Sequence, residues 1–182
     1  MQSYIRQFRP FLIFLLRFFL AYVILTISYE YYLRKVNNPL LPDGVTTLVT
    51  KQTIIAIHAF GNNAVSAIHP DEPSHKLMVN GKYVVRVVEG CNAMSVFILF
   101  AAFVIAFKGK LKHTVLFILG GIIVIHILNI IRIALLSIAL YYYPEYEHLL
   151  HVIIFPLFIY GVVFGLWVIW VNKYSLYAGK NS

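Results

Sequence analysis

Four long apolar stretches dominate this chain, and most polar residues fall in the segments between them. They read FLIFLLRFFLAYVILTISY over 11–29, GCNAMSVFILFAAFVIAF over 90–107, TVLFILGGIIVIHILNIIRIALLSIALYYY over 114–143, and VIIFPLFIYGVVFGLWVIWV over 152–171. About 20 apolar residues cross a hydrocarbon core of about 30 Å, so each stretch suffices. The pattern predicts an all-α fold, a polytopic transmembrane helical bundle of about four spans at 11–29, 90–107, 114–141 and 152–171. Residues 1–182 then form a single integral-membrane domain. The first stretch reads as a span rather than a leader, because its apolar core is too long and no small-x-small site precedes the polar NNPLLPDG.

The long polar interval, 30–89, carries its own signals. NNPLLPDG is turn chemistry. TTLVTKQTIIAIHAF reads either as an amphipathic helix lying against the bilayer or, from its β-branched content, as a strand. HPDEP breaks the chain, and LMV-NG-KYVVRVV places two β-type runs around Asn80-Gly81, a strong hairpin signal. That hairpin leads into Glu89, Gly90 and Cys91 at the mouth of span two. No internal repeat, low-complexity segment or soluble domain is legible.

Composition agrees: of 182 residues 60% are hydrophobic and only 12% charged, against about 45–50% and 25% in soluble chains. The net charge of +8 comes from basic residues scattered among apolar runs, which excludes the Lys/Arg-dense face of a nucleic-acid binder. One cysteine excludes an intrachain disulfide framework and a Cys-rich metal site. Charge position predicts orientation. Arg6 and Arg9 precede span one, Lys108, Lys110 and Lys112 link spans two and three, and Lys173 and Lys180 follow span four, with no acid in these segments. All seven acids fall on the opposite side: Glu30, Asp43, Asp71, Glu72 and Glu89 in the long loop, Glu145 and Glu147 in the short one. The positive-inside rule puts both termini in the cytoplasm and the 30–89 and 144–151 segments outside.

Polar groups inside the spans each cost about 2.5–3.5 kcal/mol and call for an account. Arg17 either snorkels toward the cytoplasm or pairs with Glu30. His126 is expected to hydrogen-bond between helices or, on the competing reading, to ligate a cofactor. Arg132 lies near the outer end of span three, three residues after Asn129, and either snorkels or binds an anion. Cys91 opens span two at an expected helix N-terminus, where the dipole favours a thiolate. His148 and His151 stand at the start of span four. Alternating helix direction brings the start of span two, the later part of span three and the start of span four to one membrane face. The sole cysteine, an arginine and a histidine pair thus converge from three helices. They supply a nucleophile, a cation and a base for acyl transfer through a thioester. His58, His69 and His75 have no metal-site spacing, the loop has no Gly-rich phosphate cradle, and neither a metal nor an organic cofactor is expected.

Gly90-Cys91-Asn92 at a span entrance, Asn129-Ile130-Ile131-Arg132 in the next span and His151 before the last one resemble the exosortase/archaeosortase family of integral-membrane transpeptidases. The tail over 151–175 is similar to the short XrtF subgroup. The chain departs from the family in reading Cys-Asn-Ala where a Cys-Ser-Gly type motif is usual, and in having fewer spans than many members. The resemblance implies a membrane-embedded cysteine transpeptidase or endopeptidase in the bacterial cytoplasmic membrane, with its active site at the outer face. It implies Cys91, Arg132 and His151 as catalytic residues, with His148 as the alternative base and Asn92 and Asn129 orienting the charged groups. Its substrates would be membrane-anchored exported proteins with a C-terminal transmembrane sorting tail, passed to a lipid- or glycan-linked amine or to water. Two other classes compete. A haem- or quinone-binding subunit would use His126 with His148 or His151 as axial ligands. A non-catalytic assembly subunit would pair Arg132 with Glu89 or Glu145.

Overall fold

The computed structural model describes residues 2–35 and 41–175, with side chains from Phe8 onward. Residues 37–40 of the expected turn, the Arg6 side chain and Lys180 lie outside the described residues. In chain order the elements are α1 (Gln2–Arg34), α2 (Gly44–Ala59), β1 (Ala64–Ile68), β2 (His75–Val79) and β3 (Lys82–Val87). A 3₁₀ turn, Glu89–Cys91, precedes α3 (Met94–Ala106) and α4 (Leu111–Tyr142). A 3₁₀ turn at Pro144–Tyr146 and a π-helical turn at Leu149–Ile154 lead into α5 (Phe155–Ile169), which ends in a second π-helical turn, Trp170–Tyr174.

Three helical stretches, Phe8–Arg34, Leu111–Tyr142 and Leu149–Tyr174, are long and apolar enough to cross a membrane. The apolar α3 is shorter than the span expected over 90–107: its 13 residues cover about 20 Å at 1.5 Å per residue. The chain is a multi-pass membrane protein. Its large apolar side chains on α1, among them Phe11, Leu16, Phe19 and Ile24, are exposed, as lipid-facing side chains are.

The chain divides into two compact units. The first comprises the described residues of 1–32, 95–123 and 163–182. Aromatic rings join its segments: Phe14 lies 5.8 Å from Phe103 and 4.5 Å from Phe107 between ring centroids, and Phe103 stacks on Trp167 at 4.2 Å. Gly109 admits Trp170, which is fully buried, because a Cβ there would meet the indole at 2.8 Å. Gly121 admits the Phe100 ring in the same way. Arg17 lines an apolar cleft of about 660 Å³ together with Leu20, Ile24, Ile105 and Lys108. Pairing of Arg17 with Glu30 is excluded, since thirteen residues of one continuous helix hold them about 20 Å apart.

The second unit comprises the described residues of 33–94 and 124–162. Here the long polar interval folds into a layer of its own. Asp43 caps α2, its carboxylate accepting from the Val45 and Thr46 amides at 2.8 and 3.1 Å. Such a cap is worth about 1 kcal/mol. With that start fixed, the ambiguous TTLVTKQTIIAIHAF run is a helix. It buries Thr46, Val49, Thr50, Thr53 and Ile57 within the protein. The expected hairpin is present as β2 and β3. Asn80 and Gly81 turn the chain with φ of 48° and 81°, the pair of positive angles that a type I′ turn requires. A third strand, β1, completes an antiparallel sheet of order β1-β2-β3. Val49, Ile57, Leu77, Val79 and Val87 form the core of this layer, and Ile133 and Ala134 of α4 complete it.

The loop histidines serve this layer. The Ala64 amide donates to His58 Nε2 at 3.0 Å, and His75 Nε2 lies 3.1 Å from Thr47 Oγ1. Burial pushes the His75 pKa below its ordinary 6.5, Lys51 pushes it the same way, and Asp43 opposes them. His126 Nε2 lies 2.9 Å from Gln52 Oε1, the hydrogen bond between helices expected of it.

Candidate functional site

Strand β3 delivers the chain to the only cysteine. After Val88, the amides of Cys91 and Asn92 close a 3₁₀ turn on the carbonyls of Val88 and Glu89 at 2.9 and 3.1 Å. Cys91 therefore ends a three-residue turn and does not open α3, which starts at Met94. This corrects the expectation of a helix N-terminus at the thiol. The interruption has a local cause. Asn92 Oδ1 accepts from the Met94 amide at 2.9 Å, and Ala93 sits at φ 62°, so the backbone cannot continue from the turn into the helix. A non-glycine residue in that left-handed conformation carries strain of about 1–2 kcal/mol.

Three asparagine- and arginine-centred contacts fix the turn. Asn92, 1% exposed, donates to Thr46 Oγ1 at 3.3 Å, and that threonine in turn donates to Asp43. Asn129, fully buried on α4, donates through Nδ2 to the Cys91 carbonyl at 2.8 Å. On its other side Asn129 Oδ1 accepts from Arg132 Nη1 at 3.4 Å, the contact that a three-residue separation on a helix allows. Arg132 is thus two hydrogen bonds from the cysteine backbone. Its Nε is buried without a partner, and among the described residues no carboxylate pairs with it.

Cys91 and His151 line one cleft of about 430 Å³. Tyr83, Val85 and Arg86 of β3 form one wall, and Leu136 and Leu140 of α4 form another. Of the six residues singled out in the sequence, the cleft brings together Cys91 and His151. Asn129 and Arg132 attach to it through the Cys91 carbonyl, and Asn92 fixes the turn from the other side. His148, the residue before the π-helical turn, is not on the cleft wall. Glu147 is on that wall and was not singled out, although its place four residues before His151 is the spacing that lets a carboxylate and an imidazole share a helical face.

A membrane bundle with a sole cysteine at a cleft that a histidine also lines is the architecture that these elements define. A family model described as transmembrane exosortase matches residues 10–172, and the chain belongs to that family. Comparison with curated proteins and with solved structures gave no match.

Proposed function

We propose that this exosortase-family membrane protein is a cysteine transpeptidase or endopeptidase acting on membrane-anchored exported proteins that carry a C-terminal sorting tail. The reading rests on one observation: the only thiol in the chain and the His151 imidazole share a cleft, while Asn129 ties Arg132 to the backbone of that same cysteine.

In the proposed reaction His151 takes the proton of the Cys91 thiol, and the thiolate adds to the scissile carbonyl. Arg132 offsets the charge on the carbonyl oxygen, where one such group is commonly worth about 10²–10³ in rate. The carbon–nitrogen bond then breaks, the leaving amine takes the proton from His151, and the acyl group stays on Cys91 as a thioester. An acceptor amine on a lipid or glycan, or water, gives a proton to His151 and attacks the thioester; the thiolate leaves and is reprotonated. His151 in this acid–base role contributes about 10²–10⁴. His151 is preferred to His148 because only the former lines the cleft with the thiol. The basic segments and the acid-bearing loops support a bacterial cytoplasmic-membrane location with both termini in the cytoplasm and the cleft at the outer face.

The test is mass spectrometry of host membranes for an acyl adduct on Cys91, alongside processing in the variants. An adduct on Cys91, with processing lost in Cys91→Ala and His151→Ala and retained in His148→Ala, is the expected result. Normal processing in Cys91→Ala would overturn the reading.

A further inference from the structure

The same cleft carries an unpaired sheet edge. In the order β1-β2-β3, strand β3 pairs among the described residues with β2 alone, and Tyr83, Val84, Val85, Arg86 and Val88 line the cleft that holds Cys91. Hydrogen-bond alternation identifies which backbone groups face outward. The Asn80 amide donates to the Asn63 carbonyl at 2.8 Å, and the His69 amide to the Ser74 carbonyl at 2.9 Å. Counting in twos between these points, Met78 and Lys76 bond toward β1, whereas Val79, Leu77 and His75 bond toward β3. Tyr83 and Arg86 stand opposite Met78 and Lys76, so their N–H and C=O groups point away from the sheet.

Val88 follows the same parity. Its carbonyl accepts from the Cys91 amide at 2.9 Å, which leaves its N–H on the edge. Arg86 and Val88 are two residues apart, the repeat of a regular ladder. The edge therefore runs without interruption from Arg86 to the turn that carries the thiol, and a strand laid along it would end beside Cys91.

We infer that the substrate is recognised by strand addition: the extended segment bearing the scissile bond pairs with the free edge of β3. This rests on the cysteine reading above and names how its substrate is held. Main-chain pairing supplies affinity, and the walls on either side select alternate side chains. The occupant is an extended polypeptide, because the edge offers backbone donors and acceptors in strand register and continues into the proposed nucleophile.

Proline tests the donors directly, since an edge strand tolerates proline where its N–H faces outward. In host membranes the yield of the Cys91 adduct in Arg86→Pro is expected to fall about tenfold below that in Arg86→Ala, the scale of one or two lost hydrogen bonds. The matched change on the opposite edge, Ser66→Pro against Ser66→Ala, is expected to give a ratio near one. A wild-type rate of Cys91 alkylation by iodoacetamide reports that a variant is folded, since unfolding exposes the partly buried thiol. Benzoylphenylalanine introduced at Tyr83 in the Cys91→Ala background is expected to cross-link the uncleaved tailed protein that accumulates in that strain. Equal adduct yields in Arg86→Pro and Arg86→Ala, with folded Cys91, would overturn strand addition while leaving the cysteine reading intact. If Arg86→Pro does not fold, the cross-link decides: its absence overturns the inference. Full processing in Cys91→Ala instead overturns the cysteine reading, and is thus distinguishable from failure of the edge.

Discussion

Asn129 offers the sharpest perturbation, because one buried amide serves two partners. Asn129→Leu keeps the branched side-chain shape but removes both the donor to the Cys91 carbonyl and the acceptor for Arg132. A buried polar group left unpaired costs about 1–3 kcal/mol. The Cys91 carbonyl bond is short at 2.8 Å and belongs in the middle of that range. The Arg132 bond is long at 3.4 Å and its side chain is partly exposed, so the lower end applies. The sum is about 3 kcal/mol, roughly a hundredfold in the folded-to-unfolded ratio. Denaturant unfolding in detergent, followed by tryptophan fluorescence, measures it. Asn129→Asp separates the two bonds: a carboxylate still accepts from Arg132 but presents an oxygen to the Cys91 carbonyl. That variant is expected to lose at least as much stability as Asn129→Leu, because a buried carboxylate then faces the Cys91 carbonyl oxygen, and to change the iodoacetamide alkylation rate of Cys91 by more than threefold, at the scale of one hydrogen bond. Unfolding of Asn129→Leu within about 1 kcal/mol of wild type, with unaltered alkylation, would refute the idea that this amide holds the cysteine turn.

Three further outcomes are expected. Ala93→Gly relieves the strain at φ 62° and leaves stability unchanged or raises it by up to about 1 kcal/mol, whereas Ala93→Val costs more than 2 kcal/mol; the same unfolding assay ranks them. Gly109→Ala drives a Cβ to 2.8 Å from the Trp170 ring and costs about 1–3 kcal/mol, visible as a lower unfolding midpoint; an unchanged midpoint would mean that the indole moves freely. Because the folded-state pKa of His75 lies below 6.5, the unfolded chain binds more protons between the two values. The stability that His75 contributes is complete above pH 6.5 and declines as pH falls toward the folded value. Hydrogen exchange over residues 44–87 reads this decline, and His75→Gln is expected to flatten it.

Much of this architecture was legible in the residues, and what was not has identifiable causes. Asn80-Gly81 declared the hairpin because few residues other than asparagine and glycine accept two successive positive φ values. The α2 segment was ambiguous because Val45, Thr46, Thr47, Val49 and Thr50 favour a strand locally, and the Asp43 cap together with burial against the sheet overrode them. Strand β1 was missed because only Ala64 of its five residues is buried, so no two-residue alternation appears. Its register is set instead by asparagines, with the Asn63 amide donating to Asn80 Oδ1 at 3.0 Å. The apolar run carried span two back to Gly90, because Gly90, Cys91 and Ala93 read as apolar helix in composition although the 3₁₀ turn Glu89–Cys91 and the break at Ala93 precede α3. At the candidate site the ordered cysteine, arginine and histidine were visible, but the cleft wall was not. That wall depends on which strand ends at the sheet edge, and the third strand decides it.

The core of the α2–sheet layer closes only with Ile133 and Ala134, some forty-six residues beyond the end of β3. During synthesis, residues 44–87 therefore emerge well before their last packing partners exist. The Asn129 amide that grips the Cys91 carbonyl arrives equally late. Assembly of the layer waits on insertion of α4, and a nascent chain carries its thiol unclamped until that helix is in place. Completion of the layer's core and fixing of the Cys91 turn therefore both fall to the same late segment of the chain.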